Sequence, residues 1–253
     1  MVVLTVGSSV SAESADEWYE KGLAAYELGN YEEAITAYDK ALQLDPEFVN
    51  AWYEKGYTLF DLEKYEDAIR AYDQALQLNP FDADTWYEKG VALYRLKRYD
   101  EAVGAYDQAL QLNPEDANTW FEKGYTLFDL EEYEDAIRAY DQALQIDPAY
   151  TGAWYEKGMA LYRLERYTDA VMAYDQALQL DQKNPDIWYE KGYTLFDLEE
   201  YDDALMAYNQ AIQLDPENAD IWYEKGILLE KLGRNQEAKQ AFEKASQLSE
   251  GSL

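Results

Sequence analysis

Seven tryptophans stand at one fixed interval of 34 residues, at Trp18, Trp52, Trp86, Trp120, Trp154, Trp188 and Trp222. Glycine follows each of them by four residues, from Gly22, Gly56, Gly90 and Gly124 to Gly158, Gly192 and Gly226. A sustained period of this length is the signature of an array in which each unit buries its apolar face against the next. Counted from Ala15, the units are predicted at 15–48, 49–82, 83–116, 117–150, 151–184, 185–218 and 219–252, after a leader over 1–14.

Inside one unit, Trp18, Gly22, Ala25 and Leu28 follow helical spacing, and Tyr31, Ala34, Ile35, Tyr38, Ala41 and Leu42 follow it again. Two amphipathic helices per unit are therefore expected. Acidic pairs such as Glu32-Glu33 and Glu134-Asp135 open the second helix, where they face the positive end of its dipole. Proline at Pro46, Pro80, Pro114, Pro148 and Pro216 marks its end, and Gln182 in the fifth unit predicts a looser turn there. A glycine inside a helix costs about 1 kcal/mol against alanine, so its recurrence predicts a backbone closely approached by a neighbour. Trp18 and Tyr38 are expected to fill the space left beside Gly22, Ala34 and Ala41, which places the tryptophans in the core.

The pattern Trp18…Gly22…Tyr31-x-x-Ala34-x-x-x-Tyr38-x-x-Ala41-x-x-x-x-Pro46 resembles the tetratricopeptide repeat family over essentially the whole chain. The resemblance implies an all-α fold: antiparallel helix pairs stacked as a right-handed superhelical solenoid, the first helix of each pair lining the concave side. Lysine departs from the family's usual leucine in the column Lys21, Lys55, Lys89, Lys123, Lys157, Lys191 and Lys225, where its stem packs while the amine reaches water. The family's additional terminal helix is missing after the seventh unit, so the polar segment from Gly233 to Leu253 is expected to cap the stack. A longer period of 68 residues lies above the first: Gly-Tyr-Thr-Leu-Phe-Asp-Leu-Glu recurs at Gly56, Gly124 and Gly192, alternating with Ala-Leu-Tyr-Arg-Leu at Ala92 and Ala160.

Composition narrows the function. The 253 residues include no histidine and no cysteine, which removes His-based triads, thiol nucleophiles and Cys/His metal sites. No metal and no cofactor is expected, and an enzyme is the disfavoured class; neither an EF-hand loop nor a singled-out carboxylate pair is evident. A net charge of −31 opposes binding to nucleic acid and to anionic lipid. No run is long and apolar enough to insert in a membrane. The leader ends on Val10-Ser11-Ala12, which reads as the remnant of a secretory signal or as a disordered extension, and the compartment stays open between cytoplasmic and extracytoplasmic.

What remains is the other face of the first helices, which is aromatic and acidic. Tyr53 and Tyr57 stand on the second unit, Tyr87 on the third, Phe121 and Tyr125 on the fourth, Tyr155 on the fifth, and Tyr189 and Tyr193 on the sixth. Rings with a wet hydroxyl are typical of recognition surfaces, whereas the Phe60 column is expected to pack between adjacent repeats. Asp129 alternates with Arg95 and Arg163 as charged rungs, and Asp84 and Asn118 add acceptors, although their column also reads as helix caps. The glutamates running from Glu20 to Glu224 read as a solvated flank. Some members of the family hold the acidic C-terminus of a chaperone with Lys, Arg and Asn; Tyr and Glu occupy those places here. The expected partner is therefore a protein or peptide of basic and aromatic character, gripped through cation–π contacts and charge-assisted hydrogen bonds. The alternative class is a structural array that self-associates end to end without a peptide ligand.

An excess of carboxylates repels itself, and salt screens that repulsion over a Debye length of about 8 Å near physiological ionic strength. Raising sodium chloride from low concentration to moderate strength is predicted to raise the melting temperature; a steady fall over that range contradicts the argument.

Overall fold

The computed structural model describes residues 13–250, so the segment Val10-Ser11-Ala12 lies outside the described residues. Among these residues the chain is all-α, with fourteen helices and no strand. They fall into two units, Met1–Pro114 and Glu115–Leu253. The N-terminal unit holds α1 (Ala15–Glu27), α2 (Tyr31–Leu44), α3 (Val49–Asp61), α4 (Tyr65–Leu78), α5 (Ala83–Arg95) and α6 (Tyr99–Leu112). The C-terminal unit holds α7 (Ala117–Asp129), α8 (Tyr133–Ile146), α9 (Thr151–Arg163), α10 (Tyr167–Leu180), α11 (Pro185–Asp197), α12 (Tyr201–Leu214), α13 (Ala219–Lys231) and α14 (Asn235–Glu250).

Each odd helix closes against the even helix that follows it through one contact. The ring of Tyr72 lies across Gly56, Tyr174 across Gly158 and Tyr208 across Gly192, and these rings are fully buried. A β-carbon built on Gly158 would lie 2.5 Å from Cε1 of Tyr174, so glycine is there because no side chain fits. In the last pair Phe242 takes the tyrosine's place across Gly226. Alanines at Ala34, Ala68, Ala102, Ala136, Ala170 and Ala204, all fully buried, let the second helices come equally close.

Helix ends follow local rules with one departure from expectation. Acidic residues occupy the first turn of α2, α4, α6, α8 and α12, as the dipole favours. The residues that cap odd helices stand two positions before the column read as caps: Asp116, Asn184 and Asn218 accept from the backbone N–H of Asn118, Asp186 and Asp220. At the far end the chain turns through the left-handed region, at Gly29 and Gly233 but also at Glu63, Lys97, Glu131, Glu165 and Glu199, whose φ values are 58° to 63°.

The tryptophans are half-buried rather than central. Indole Nε1 donates to the carbonyl of Pro46 from Trp52, of Pro80 from Trp86 and of Pro148 from Trp154, each at 3.0 to 3.1 Å. Trp188 makes the same bond to Gln182, at 3.0 Å, so the turn lacking proline is pinned like the others: the acceptor is a backbone carbonyl, indifferent to the side chain. The lysine column covers these rings, with Nζ of Lys55, Lys89, Lys157 and Lys191 at 5.1 to 5.5 Å from the ring centroid and paired with Asp39, Asp73, Asp141 and Asp175 of the preceding even helix. Trp and Lys thus bolt one pair to the next at the back.

Successive odd helices touch one another, α1 with α3 and α3 with α5 in the N-terminal unit, and α7 with α9, α9 with α11 and α11 with α13 in the C-terminal one. No two even helices do so among the described residues. Each unit is therefore tighter on its odd-helix side, which is the inner side of its curve.

Gly158→Ala is predicted to lower stability by about 1–3 kcal/mol, because displacing the Tyr174 ring outweighs the gain of about 1 kcal/mol in helix propensity. Chemical denaturation checks this; a variant as stable as the parent removes the close contact as the reason for glycine.

Candidate functional site

On the inner side of the N-terminal unit, Tyr53 and Tyr57 stack at 6.4 Å between ring centroids, and Tyr53 packs on the buried Tyr72 at 6.1 Å. Tyr87 stands equivalently over Tyr106 at 6.0 Å. In the C-terminal unit Phe121 and Tyr125 lie 6.3 Å apart, Tyr155 sits over Tyr174 at 6.1 Å, and Tyr189 and Tyr193 lie 6.3 Å apart. The sequence-predicted rings are thus gathered as one half-buried row within each unit, with Tyr53, Tyr87, Phe121, Tyr155 and Tyr189 each resting on a phenol of the core. Asp84 and Asn118 are exposed at the lip of their helices, as are Arg95, Asp129 and Arg163.

The alternating charges have partners that explain the 68-residue period. The hydroxyl of Tyr26 donates to Asp61 at 2.5 Å, and that of Tyr162 donates to Asp197 at 2.7 Å. Tyr57 and Tyr193 close against the same tyrosines edge-on, at 5.9 and 5.8 Å. Where phenylalanine replaces tyrosine in that column the next odd helix supplies a cation instead, and Arg163 stands 5.9 Å from the Phe128 ring. A tyrosine–aspartate joint in one position and a phenylalanine–arginine contact in the other require two kinds of repeat. The Phe60 column packs both ways: Phe60 lies edge-on to Tyr65 of its own pair at 5.2 Å, and Phe128 also meets Arg163 of the next.

The glutamate column is where the reading as a solvated flank fails. Glu88, Glu156 and Glu190 are half-buried among the rings, and no hydrogen bond or ion pair of their carboxylates is present among the described residues. Burial, added to the nearby Asp84 and Asp61, pushes Glu88 up to about 7. Glu156 is pushed up to about 7 by burial with Asp129 and Glu190, and Glu190 likewise by burial and Asp186, with Arg163 opposing. Burial also raises the phenols of Tyr53, Tyr155 and Tyr189, whose surroundings include these same glutamates. The signal was present in the sequence, since Tyr-Glu-Lys-Gly or Phe-Glu-Lys-Gly recurs in every unit and sets Glu beside the row of rings. What it lacked was the depth of the groove.

Two grooves lie at the back, one of about 580 Å³ beside Trp52, Lys55 and Asp39 and one of about 590 Å³ beside Trp188, Lys191 and Asp175, and a lysine–aspartate pair already crosses each. No group of three or more residues fit to hold a metal ion occurs among the described residues, and no helix among them is long and apolar enough to cross a membrane.

A family model described as tetratricopeptide repeat matches residues 53–117 and 121–185, and related repeat models match 22–62, 173–206, 192–233 and 219–252. No curated protein matches the chain. Among solved structures, the chain is similar to MamA (27% identity, TM-score 0.63, covering 64% of this chain and 95% of that one). It is also similar to YrrB, described as a TPR protein with an unusual peptide-binding site (24%, 0.66, 75% and 97%). A third similar structure is pilF of Pseudomonas aeruginosa (24%, 0.64, 80% and 92%).

A carboxyl that holds its proton to about pH 7 when folded but only to its ordinary value when unfolded stabilises the fold at low pH, and that contribution is lost as pH rises through 7. Glu190→Gln is therefore predicted to raise the melting temperature at pH 8 and to leave it nearly unchanged at pH 5, by at most about 1 kcal/mol after solvent screening. Equal effects at both pH values contradict the assignment.

Proposed function

The chain belongs to the tetratricopeptide repeat family, whose fold is that of a protein-interaction scaffold, and from that premise we propose that it is a non-catalytic scaffold holding a basic, extended peptide segment against the odd helices. One observation carries this reading. Glu88, Glu156 and Glu190 sit among phenols with their carboxylates unpaired, so the surface holds desolvated carboxyls that keep a proton up to about pH 7 and that a ligand cation would stabilise in the charged form. An arginine or lysine would gain a charge-assisted hydrogen bond there and a ring face beside it. Tyr53 and Tyr57 offer that arrangement in one unit, and Tyr155, Tyr189 and Tyr193 in the other. Arg95 and Arg163 repel cations at their own rungs and so restrict where the partner's charges fall.

End-to-end association is the second reading, favoured by the groove of about 600 Å³ at Tyr223, Phe242 and Ala245, where Tyr223 is 53% exposed. The opposite end argues against it. The position that inserts into such a groove is fully or almost fully buried at Ala51, Thr85, Thr119, Ala153, Ile187 and Ile221, but it is Glu17 in α1, exposed and committed to a capping box with Ser14. Docking α1 would bury that charge unpaired.

Binding of a fluorescent arginine-rich peptide to the full chain, followed by anisotropy at moderate salt, tests the proposal. Tyr193→Ala and Tyr125→Ala are each predicted to weaken it by about 1–3 kcal/mol with helicity retained. A folded double variant that binds like the parent moves the site off this face. A concentration-dependent series of oligomers in sedimentation supports the second reading instead.

A further inference from the structure

The inner face of the C-terminal unit repeats a single motif at fixed steps, and the step itself selects a ligand. Around Tyr155 gather Glu156, Glu190 and Asp186; around Tyr189 gather Glu190, Glu224 and Asp220. Neighbouring groups share one glutamate, so each is one odd helix from the next. α9 and α11 are in direct contact, with Tyr162 and Tyr193 5.8 Å apart, and packed helices stand about 8–10 Å apart, which is the step expected here.

A second feature lies beneath these groups. Tyr208 is fully buried, 6.1 Å from the Tyr189 ring, and its hydroxyl is sealed from solvent without a hydrogen-bond partner. The groups acting on it, Glu224, Tyr189, Tyr193 and Asp197, belong to the same inner face. The hydroxyl is not needed for packing, because Phe242 fills the same place across Gly226 without one. Where the phenol occurs in this unit, at Tyr140, Tyr174 and Tyr208, a glutamate of the following odd helix acts on it, namely Glu156, Glu190 and Glu224. At Tyr140 and Tyr208 a glutamate of the inner face thus lies over a buried hydroxyl that has no partner, whereas Thr194 is within reach of the Tyr174 hydroxyl, so it is the half-buried glutamate and the ring beside it that a ligand nitrogen with several N–H donors can meet.

Resting on the reading that this face binds a basic peptide, we propose that the partner is a polyproline-II segment with arginine or lysine at every third residue, one cation to each of Glu156, Glu190 and Glu224. A polyproline-II chain makes one turn in three residues and advances about 9.3 Å in doing so, so its third, sixth and ninth side chains meet one face at the helix step. A β-strand returns to the same face after about 6.6 Å and falls out of register at the second rung. Carrying no internal hydrogen bonds, the polyproline-II form also loses less freedom on docking than a flexible coil.

Three capped peptides of identical composition, three arginines among six prolines and alanines, test the register against the full chain by anisotropy. One has arginine at every third position, one at every second, and one has the three together at its end. The every-third peptide is expected to bind about tenfold tighter than either of the others, and Glu190→Gln to weaken it several-fold with helicity retained. Equal affinity for the three peptides overturns the register while leaving a basic-peptide scaffold intact, and binding unchanged by Glu190→Gln overturns the pairing of cations with these glutamates. If none of the three binds, the functional reading falls with it.

Discussion

The structure depends on a ring laid across a glycine. In the first six helix pairs a tyrosine covers the glycine that follows the tryptophan by four residues, and in the seventh a phenylalanine does so. The contact admits no β-carbon, so it fixes the distance and the rotation of the odd helix against the even one together. Once the odd helix is locked in this way, its remaining surface divides: tryptophan and lysine turn to the back, where they grip the preceding turn and helix, and the tyrosine–glutamate pair turns to the inner face. The proposed recognition surface is a by-product of the closure, because the same phenol that fills the space over glycine also lies under the inner rings Tyr53, Tyr155 and Tyr189.

That economy leaves groups unsatisfied. A core built only for stability would use phenylalanine over glycine throughout, as the last pair does, and would leave no hydroxyl buried without a partner. It would also keep glutamate out of the half-buried row, where burial holds Glu88, Glu156 and Glu190 at about 7. Such violations of packing logic concentrate where a protein meets something else. Here they fall at two positions of the repeat, the phenol over glycine and the glutamate beside the inner rings.

Much of this was legible in the sequence. The 34-residue period gave the helix pairs, and the glycine and alanine columns gave the close approach, because both are direct consequences of periodicity and side-chain volume. The rings of the inner face were legible too, by elimination from the packing face. Three features were not. Tryptophan looks like core by its size, yet its indole N–H needs an acceptor, and the turn carbonyl that supplies one lies at the back. Glu88 and its counterparts look solvated by composition, and only the depth of the inner face shows them to be desolvated. The alternation of Asp61 and Asp197 with Arg163 reads as a ladder for a ligand, but the hydroxyls of Tyr26 and Tyr162 and the ring of Phe128 already engage it. Side-chain partners across a repeat boundary do not follow from a one-dimensional pattern, although the 68-residue period was their trace.

The central claim is that the carboxylates of the inner face are desolvated and unpaired in the free protein and paired when it is occupied. Carbon-13 NMR titration of the glutamate side chains, with and without a saturating arginine-rich peptide, measures this at the atoms concerned. The account predicts that Glu88, Glu156 and Glu190 titrate near pH 7 in the free chain and move down towards the ordinary carboxylate range when the peptide is bound. Ordinary values in the free chain, or high values unmoved by the peptide, contradict it.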